Sequence, residues 1–561
     1  MQDTVLADIE RIEIIRGPGA SLWGANAVDG VINIITKSAA ATQGGLLTAA
    51  VGNEERGTAA VRYGGRFGDL GYWRIHAKGF ERDGTSIGDT GRAGNDDWRQ
   101  QRLGFRTDLA PGSGDSLTVQ GDIYRGRSGE TSRLNFLGTP HNVLLGAEQD
   151  VSGGNLLARW QHELSASDSF TWQTYVDHYR RDWPAHLEEK RDTFDLDFQY
   201  RTRRFPGHDL VLGAGYRSSR DILNASYSGI PSSVLPYATF SPTANRQELY
   251  SLFAQDDIVL SPELILTLGI KLEHNDYTGL ETQPNARLLW TPRQETTLWT
   301  SVARAVRTPS RVDHDGMVNQ DVLAPSSPRN NLPWPVLIRT GGSIAASESV
   351  LAYEAGWKQR LSPALSFDLA FFYHDYHSLR SVTFRPPLCQ PATLPPAACY
   401  LSPSSHILQV VEAGNDVEGN SVGFELTSDW RPQPTLFFRA SLGHFSMRLR
   451  GKSGAQGMER AGSFPDWQGS LRMSWNPRPD TDVDFWLRRV GELTENAGGH
   501  SVPGYNELDL RLAWRPDKQV ELALVGRNLL HRKHQEFVSE LSDMPMMMIE
   551  RSFFAQVNLK F

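Results

Sequence analysis

Two segments carry the residue spacing of a serine hydrolase nucleophile. Gly84-Thr85-Ser86-Ile87-Gly88 and Gly419-Asn420-Ser421-Val422-Gly423 both match G-x-S-x-G. In that motif the serine stands on a sharp turn between a strand and a helix. No helical pattern follows either segment, and two matches are expected by chance in a chain with 51 glycines. We therefore predict no catalytic residues and no enzyme.

Gly17-Pro18-Gly19 follows a strand-like segment, as the glycines of a dinucleotide-binding fingerprint would. That fingerprint needs its third glycine where this chain has Leu22, and a helix should then begin. No helical pattern is present there, so the sequence predicts neither a nucleotide site nor any other cofactor.

Histidines spaced three apart occur twice, as His374 with His377 and His531 with His534. On a strand this spacing places the two rings on opposite faces, which argues against a metal site at either pair. The loop segment Asp313-His314-Asp315 could contact a metal or a cationic ligand, or could simply be solvated. We predict no metal site.

Cys389 and Cys399 are the only two cysteines of the chain. An isolated close pair of this kind is typical of a loop disulfide in an oxidising compartment, the alternative being two free thiols. The segment between them holds three prolines, and we predict a disulfide that keeps this loop in shape.

Composition excludes two classes of protein. The net charge of -8 argues against nucleic-acid binding, which needs a basic face. No apolar run approaches the roughly 18 residues of a membrane-spanning helix. The mean hydropathy of -0.41 is compatible with a membrane barrel, whose strands alternate lipid-facing and lumen-facing residues. The 15 tryptophans suit the aromatic girdles of such barrels.

Alternation with a period of two runs from Gly44 to the end of the chain. In the last segment Phe553, Ala555, Val557 and Leu559 share one face with Phe561, while polar residues occupy the other. A strand with one apolar and one polar face suits a wall between lipid and water.

Short turns rich in Pro, Gly, Ser and Asp separate these strands. They lie near Gly68-Asp69, Pro111-Gly112, Ser165-Ser167, Pro206-Gly207, Ser261-Pro262, Pro292-Arg293, Ser362-Pro363, Pro432-Pro434, Pro477-Pro479 and Pro516-Asp517. Ten short turns joining eleven hairpins predict 22 strands. The longer connections then share the opposite side, the longest at roughly 311–346 and 384–416. A soluble propeller or sandwich would not separate short turns from long loops in this way.

Residues 1–43 do not follow the barrel pattern. The strand Ile9–Ile15 leads into Arg16-Gly17-Pro18-Gly19, a loop of small residues with Gly24, and a strand from Gly30 through Asn33 to Lys37. This stretch resembles the end of the plug domain of TonB-dependent outer-membrane receptors. Segments around Ala305–Ser310, Tyr353–Gly356, Gly423–Leu426 and Asn528–Leu530 are similar to recurrent barrel segments of that family, and Phe561 is similar to its C-terminal aromatic residue.

The resemblance implies an all-β fold. We expect a 22-stranded antiparallel transmembrane β-barrel over residues 44–561, with the C-terminal remnant of a plug domain, residues 1–43, in its lumen. Met1 opens without a signal peptide, so we expect the true N-terminus, the energy-coupling box and most of the plug to be missing here.

The resemblance also implies a function and a contact. The family takes up scarce ligands across the bacterial outer membrane, most often a ferric siderophore, with energy from the TonB complex. Its inward glutamates, here Glu354 and Glu425, pair with the plug arginine, here Arg16. Expected partners are an iron chelate or similar small ligand, the TonB complex through the missing N-terminal segment, and outer-membrane lipids with lipopolysaccharide.

Two other functions stay open from the sequence. A passive pore would follow from the incomplete plug, and a barrel-type hydrolase is disfavoured by the strand count. Trp334, Arg329 and Arg339 supply aromatic and basic chemistry suited to an iron chelate, but ordinary loops contain such residues too, so the ligand-binding residues are unknown.

Overall fold

The computed structural model describes residues 3–88, 90–342, 344, 346–390, 405–452, 454–494, 501–539 and 544–561. It is almost entirely β-structure. Strands that alternate lipid-facing and lumen-facing side chains pair antiparallel from neighbour to neighbour, and the last pairs with the first to close a barrel. The predicted 22-stranded barrel is confirmed. Closure leaves no unpaired edge, which a lipid environment requires.

The wall strands are the following ranges: Gly44–Gly52, Gly57–Arg66, Gly71–Arg82, Trp98–Leu109, Asp115–Asn135, Asn142–Glu163, Asp168–Trp183, Leu187–Thr202, His208–Asn224, Ala244–Ser261, Leu264–Asn275, Gly279–Arg293, Thr296–Arg307, Glu348–Ser362, Leu365–Phe384, His406–Gln433, Leu436–Gly451, Trp467–Arg478, Thr481–Val490, Tyr505–Trp514, Val520–Arg527 and Ser552–Lys560. All ten predicted short turns fall at the junctions of consecutive wall strands. The predicted long loop 384–416 ends too late, because the strand that follows it begins at His406.

Apolar side chains cover the outer surface of the wall. Ile123, Leu252 and Leu524 are each about three-fifths exposed, as expected for residues that face lipid rather than a protein core. Six outward tryptophans precede short turns by a few residues and form a belt at that end, the aromatic girdle that membrane barrels place at an interface. They are Trp160, Trp290, Trp357, Trp430, Trp475 and Trp514.

The long loops build a second layer at the opposite, extracellular end. Their short strands are Ser86–Ile87, Ala238–Phe240, Gly316–Leu323, Val336–Gly341, Leu388–Gln390, Lys533–Gln535 and Met547–Glu550, and their helical turns are Arg311–Asp315 and Met458–Ser463. Val336–Gly341 pairs parallel with the start of the strand His406–Gln433. Small apolar clusters, one of them around Val322, Leu337 and Leu408, hold these loops to the rim.

Residues before Gly44 form a separate small unit inside the barrel. Strands Ile9–Arg16 and Gly30–Thr36 pair antiparallel, and we call them the plug hairpin. The connection 17–29, here the plug loop, contains the one-turn helix Ala20–Trp23, and single 3-10 turns lie at Leu6–Asp8 and Ala40–Thr42. In the described part of the chain, no helix has the length and apolar character needed to cross a membrane.

Candidate functional site at the contact between plug and barrel

The plug hairpin turns into the plug loop at two glycines. Gly17 has a φ of +69°, a left-handed conformation that glycine adopts without steric cost. Gly30 has a φ of +152°, and a Cβ there would lie 2.6 Å from the carbonyl oxygen of Ile15. Gly17 and Gly30 are therefore required by the backbone itself. Asn33 adds a hydrogen bond across the hairpin, donating from Nδ2 to Glu13 Oε2 at 3.0 Å.

The motif arginine reaches the wall directly after the hairpin. Arg16 Nη1 lies 2.9 Å from Glu425 Oε2, and both side chains are close to half exposed to the lumen. Glu354 does not pair with Arg16 but lies over Gly17, where an added Cβ would come within 2.0 Å of Glu354 Oε1. The structure thus brings all three predicted residues together. Glu425 pairs with the guanidinium of Arg16, and Glu354 lies against the backbone of Gly17.

Glu354 is positioned by two side chains of the wall. Ser301 on the neighbouring strand donates from Oγ to Glu354 Oε2 at 3.2 Å, and His374 Nε2 lies 3.6 Å from Oε1. Ser301 stands opposite Glu354 on one side, and His374 lies two residues along from Phe372, its partner on the other side, so both face the lumen as Glu354 does. These two contacts therefore help to fix the carboxylate beside the plug loop.

The plug loop is fastened more deeply by Glu273, which the sequence analysis missed. The backbone N–H of Ala25 donates to Glu273 Oε2 at 2.5 Å, as does Gln283 Nε2. Lys271 Nζ donates to the carbonyl oxygen of Leu22 at 3.3 Å and lies 3.9 Å from Glu273 Oε1. The three wall side chains are buried, Gln283 completely. Buried polar groups need partners, and here the plug backbone supplies some of them.

Gly24 makes this approach possible. It has a φ of +85°, and a Cβ there would stand 2.4 Å from Glu273 Oε1. Its place in the motif therefore follows from the contact with the wall. The adjoining Asn26 continues the fastening, because its N–H donates to the carbonyl oxygen of Val306 at 2.7 Å and its Oδ1 accepts from the N–H of Thr308 at 3.1 Å.

The other end of the hairpin is held by ion pairs on the opposite sector of the wall. Asp8 Oδ1 lies 2.6 Å from Arg62 Nη1, and Oδ2 lies 3.6 Å from Arg74 Nε, with all three side chains at most one-tenth exposed. Arg74 also donates to the carbonyl oxygen of Lys37 at 2.7 Å. Residues 3–43 are thus anchored to strands from both halves of the barrel.

Part of the hairpin's apolar surface faces the lumen. Ile12, Ile14 and Ile32 are 50%, 69% and 61% exposed, whereas Val31 and Ile34 are half-buried. The hairpin therefore owes its position to polar contacts with the wall more than to a core of its own. This is expected for a segment too short to bury a core.

The other motifs that the sequence singled out lie elsewhere. Ser86 donates to Glu550 Oε1 at 2.6 Å within a loop sheet, and Ser421 lies in the middle of a wall strand. Neither is followed by a helix, so the geometry of a nucleophile elbow is absent at both. A four-residue helical turn does follow Gly19, contrary to expectation, but it packs against wall strands around Glu273.

The structure differs from the sequence expectation at one histidine pair and decides between the alternatives left open for Asp313. His531 precedes the short strand that contains His534, so the alternation rule does not apply, and their ring centroids lie 5.7 Å apart. Asp313 is buried rather than solvated, with Arg380 Nη1 at 3.0 Å and Arg307 Nη2 at 3.6 Å. His374 and His377 behave as predicted, one buried and the other more than half exposed.

Two of the three loop residues named for ligand chemistry, Arg329 and Arg339, already contact neighbouring side chains. Arg329 Nη1 lies 2.8 Å from Asp321 Oδ2, and Arg339 Nε donates to Asn319 Oδ1 at 2.8 Å. Burial lowers the pKa of Arg339. Cys389 is disulfide-bonded, while Cys399 lies outside the described residues, so the pairing stays a prediction.

Comparison with known proteins decides the family. A family model described as TonB dependent receptor-like, beta-barrel, matches residues 41–529. The chain belongs to this family. As a member with a closed 22-stranded barrel it is an integral protein of the outer membrane. The curated relatives that it resembles are receptors and transporters rather than enzymes.

Among those relatives is the ferric enterobactin receptor of Pseudomonas aeruginosa, 28% identical over 363 residues, which are 54% of this chain and 46% of that protein. The vitamin B12 transporter BtuB of Vibrio vulnificus is 34% identical over 96 residues, 17% of this chain and 16% of that protein. The chain therefore aligns with less than half the length of these relatives.

Solved structures show the same fold. The siderophore receptor PirA of Acinetobacter baumannii superposes with a TM-score of 0.75 at 15% identity, covering 99% of this chain and 85% of that one. A ferric enterobactin receptor mutant of Pseudomonas aeruginosa in complex with enterobactin gives 0.76 at 16% identity, covering 99% and 86%. At such identities the likeness concerns the fold alone.

Proposed function

We propose that the chain is the barrel and plug end of a receptor that takes up an iron chelate, such as a ferric siderophore, across the outer membrane. The observation that carries the proposal is the way in which the plug segment is fastened across the lumen. Arg16 pairs with Glu425, the backbone of Ala25 with Glu273, and Asp8 with Arg62, and these wall residues lie in separate sectors of the barrel. A small segment that is held in the lumen by hydrogen bonds and ion pairs, with several of its apolar side chains exposed, is suited to displacement when energy is supplied.

The ligand class and the partner rest on the relatives. The names of two curated relatives and of the solved neighbours specify ferric enterobactin or siderophores, and others specify vitamin B12. We propose an iron chelate because the match to a ferric enterobactin receptor spans 54% of the chain, against 17% for the B12 transporter. The TonB complex would supply the energy, and lipids and lipopolysaccharide would surround the wall.

Uptake of radioactive iron tests this function. The gene, in its full natural reading frame, would be expressed in cells that lack their own siderophore receptors, and ferric enterobactin would be supplied. We expect iron accumulation that disappears in matched cells without TonB. Accumulation of labelled vitamin B12 instead would contradict the ligand class, and uptake that is equal without TonB would contradict energised transport.

A passive pore is the second candidate, supported by the solvent-exposed isoleucines of the plug hairpin. Water that reaches Ile12, Ile14 and Ile32 also fills part of the lumen. Planar-bilayer recordings of the folded 561-residue chain distinguish the two functions. Steady ion conductance would support a pore in this chain, whereas a closed barrel would show that the hairpin suffices as a plug.

A further inference from the structure

A cluster of metal-ligating side chains lies at the extracellular end of the wall, away from the plug contacts. Glu507 stands near the start of the strand Tyr505–Trp514, and His534 and Glu536 belong to the loop that connects the last two wall strands. One potential ligand atom from each of the three lies within 4.8 Å of the other two. Glu507 and His534 are buried, and Glu536 is half-buried.

The charges of the cluster are only partly compensated by its neighbours. The guanidinium of Arg488 contacts Glu507 and also lies 3.0 Å from Asp509 Oδ2, so one positive charge serves two carboxylates. Glu536 Oε1 lies 2.8 Å from His534 Nε2, and a carboxylate oxygen of Glu507 lies within 4.8 Å of one of Glu536. Two carboxylates brought this close and withdrawn from water repel each other unless a proton or a cation lies between them.

The imidazole offers a second, independent observation. His534 is 8% exposed, and its Nδ1 has no hydrogen-bond partner, although buried polar atoms are normally satisfied. The nearby His531 has a buried Nε2 in the same situation, and the two ring centroids are 5.7 Å apart. The nitrogen of His534 that faces the carboxylates is Nε2, and a cation bound there would replace its hydrogen bond to Glu536. The two nitrogens without partners show that neither ring is fixed by hydrogen bonds on both of its nitrogens.

We propose that Glu507, His534 and Glu536 bind a divalent transition-metal cation of the Zn²⁺ type. One imidazole nitrogen with two carboxylate oxygens suits Zn²⁺ and its neighbours, whereas Mg²⁺ and Ca²⁺ prefer oxygen ligands throughout. His531 is near enough to supply a further ligand after a small movement of its loop.

The bound cation would fasten the last extracellular loop to the wall. Lys533–Gln535 pairs with Met547–Glu550, which in turn pairs with Ser86–Ile87 from a loop near the start of the barrel. The loop therefore bridges the first and last parts of the closed wall, and a metal on Glu507 would tie it to the strand below.

Calorimetric titration of the folded full chain in detergent, stripped with EDTA and then supplied with Zn²⁺, tests the site. We expect saturable binding that His534→Ala and Glu536→Gln each weaken by at least about tenfold, as loss of a ligand should. His377→Ala is the matched control, since that exposed ring contacts Asp375 outside the cluster and its loss should leave binding unchanged. Heat-modifiable migration in gels would verify that each variant folds.

The proposal is overturned if the wild-type chain shows no saturable Zn²⁺ binding, or if His534→Ala and Glu536→Gln bind as it does. If His534→Ala does not fold, the isosteric Glu536→Gln decides alone. Mg²⁺ that competes as well as Zn²⁺ would overturn the transition-metal class.

Trypsin cleavage after the exposed Arg532 and Lys533 should slow when Zn²⁺ is bound and should not slow in Glu536→Gln. An unchanged cleavage rate in the wild-type chain would overturn the fastening role.

Discussion

Two carboxylates of the wall hold neighbouring parts of the plug segment, and they differ in how much water surrounds them. Glu425 pairs with Arg16 across a lumen that leaves both side chains close to half exposed. Glu273 is buried and accepts hydrogen bonds from the backbone of Ala25 and from Gln283.

An exposed ion pair gains little free energy, because water screens it and two long side chains lose freedom. A buried, multiply bonded carboxylate is costly to remove, because its partners are left without compensation. The difference indicates that Glu273, rather than the motif pair, fixes the position of the plug loop.

The largest effect is expected from Glu273→Ala. Removing this carboxylate leaves the Ala25 N–H and the buried side chains of Lys271 and Gln283 without their partner, a cost of about 3–5 kcal/mol by analogy with other broken buried pairs. We expect faster hydrogen exchange at the amides of the plug hairpin and higher ion conductance in planar bilayers.

Glu281→Ala is the matched control for that substitution. Glu281 is also buried on the lumen side, on the adjacent strand, but it contacts Ser347 and Arg304 rather than the plug. Equal release of the hairpin in both variants would mean that damage to the wall, and not the lost contact, causes the effect.

Asp8→Asn should rank second. The change removes the charge that faces Arg62 and Arg74, but Arg74 keeps its hydrogen bond to the Lys37 carbonyl oxygen. We expect a loss of about 2–3 kcal/mol in hairpin docking, in the range of hydrogen bonds to charged groups. Hydrogen exchange should rise first at Ile9–Arg16. Asp122→Asn, whose partners belong to the wall, provides the comparison, and an equal effect there would contradict the assignment.

Gly17→Ala should have a smaller effect of roughly 1–2 kcal/mol, the cost of a left-handed backbone in a residue with a Cβ. A further cost should come from Glu354, since the new methyl group would overlap its carboxylate unless that side chain moved. The double variant Gly17→Ala with Glu354→Ala separates the two causes through a double-mutant cycle. If the double variant is destabilised by the sum of the single effects, Glu354 does not restrict this position.

The smallest effect is expected from Arg16→Ala. The exposed pair with Glu425 should contribute about 0.2–1 kcal/mol to docking, and less at high salt. A double-mutant cycle with Glu425→Ala, measured by hydrogen exchange at low and high ionic strength, gives the coupling energy. If this coupling energy exceeded the loss measured for Glu273→Ala, the exposed pair, and not Glu273, would fix the position of the plug loop.

The sequence by itself determined the wall. Alternation with a period of two assigned the outward face of Phe553 and its neighbours, and turn residues marked all ten short junctions, so the number of strands followed. These features are local, because the side-chain direction in a strand and the bend of a turn depend on a few consecutive residues. The same alternation gives the inward direction of Glu354 and Glu425, whereas their choice as partners of Arg16 came from the resemblance to the family.

Only the tertiary structure decided which inward residues hold the plug segment and how strongly they hold it. Ala25 and Glu273 are 248 positions apart, and closure of the barrel brings them within hydrogen-bonding distance. The same alternation that exposes Ile270 and Leu272 to lipid turns Lys271 and Glu273 inward, yet many other charged residues also face inward. Local pattern cannot tell a buried carboxylate from a solvated one, because burial depends on what the rest of the chain places in front of it. His531 and His534 show the same limit, since a departure from strand geometry brought together rings that alternation would have separated.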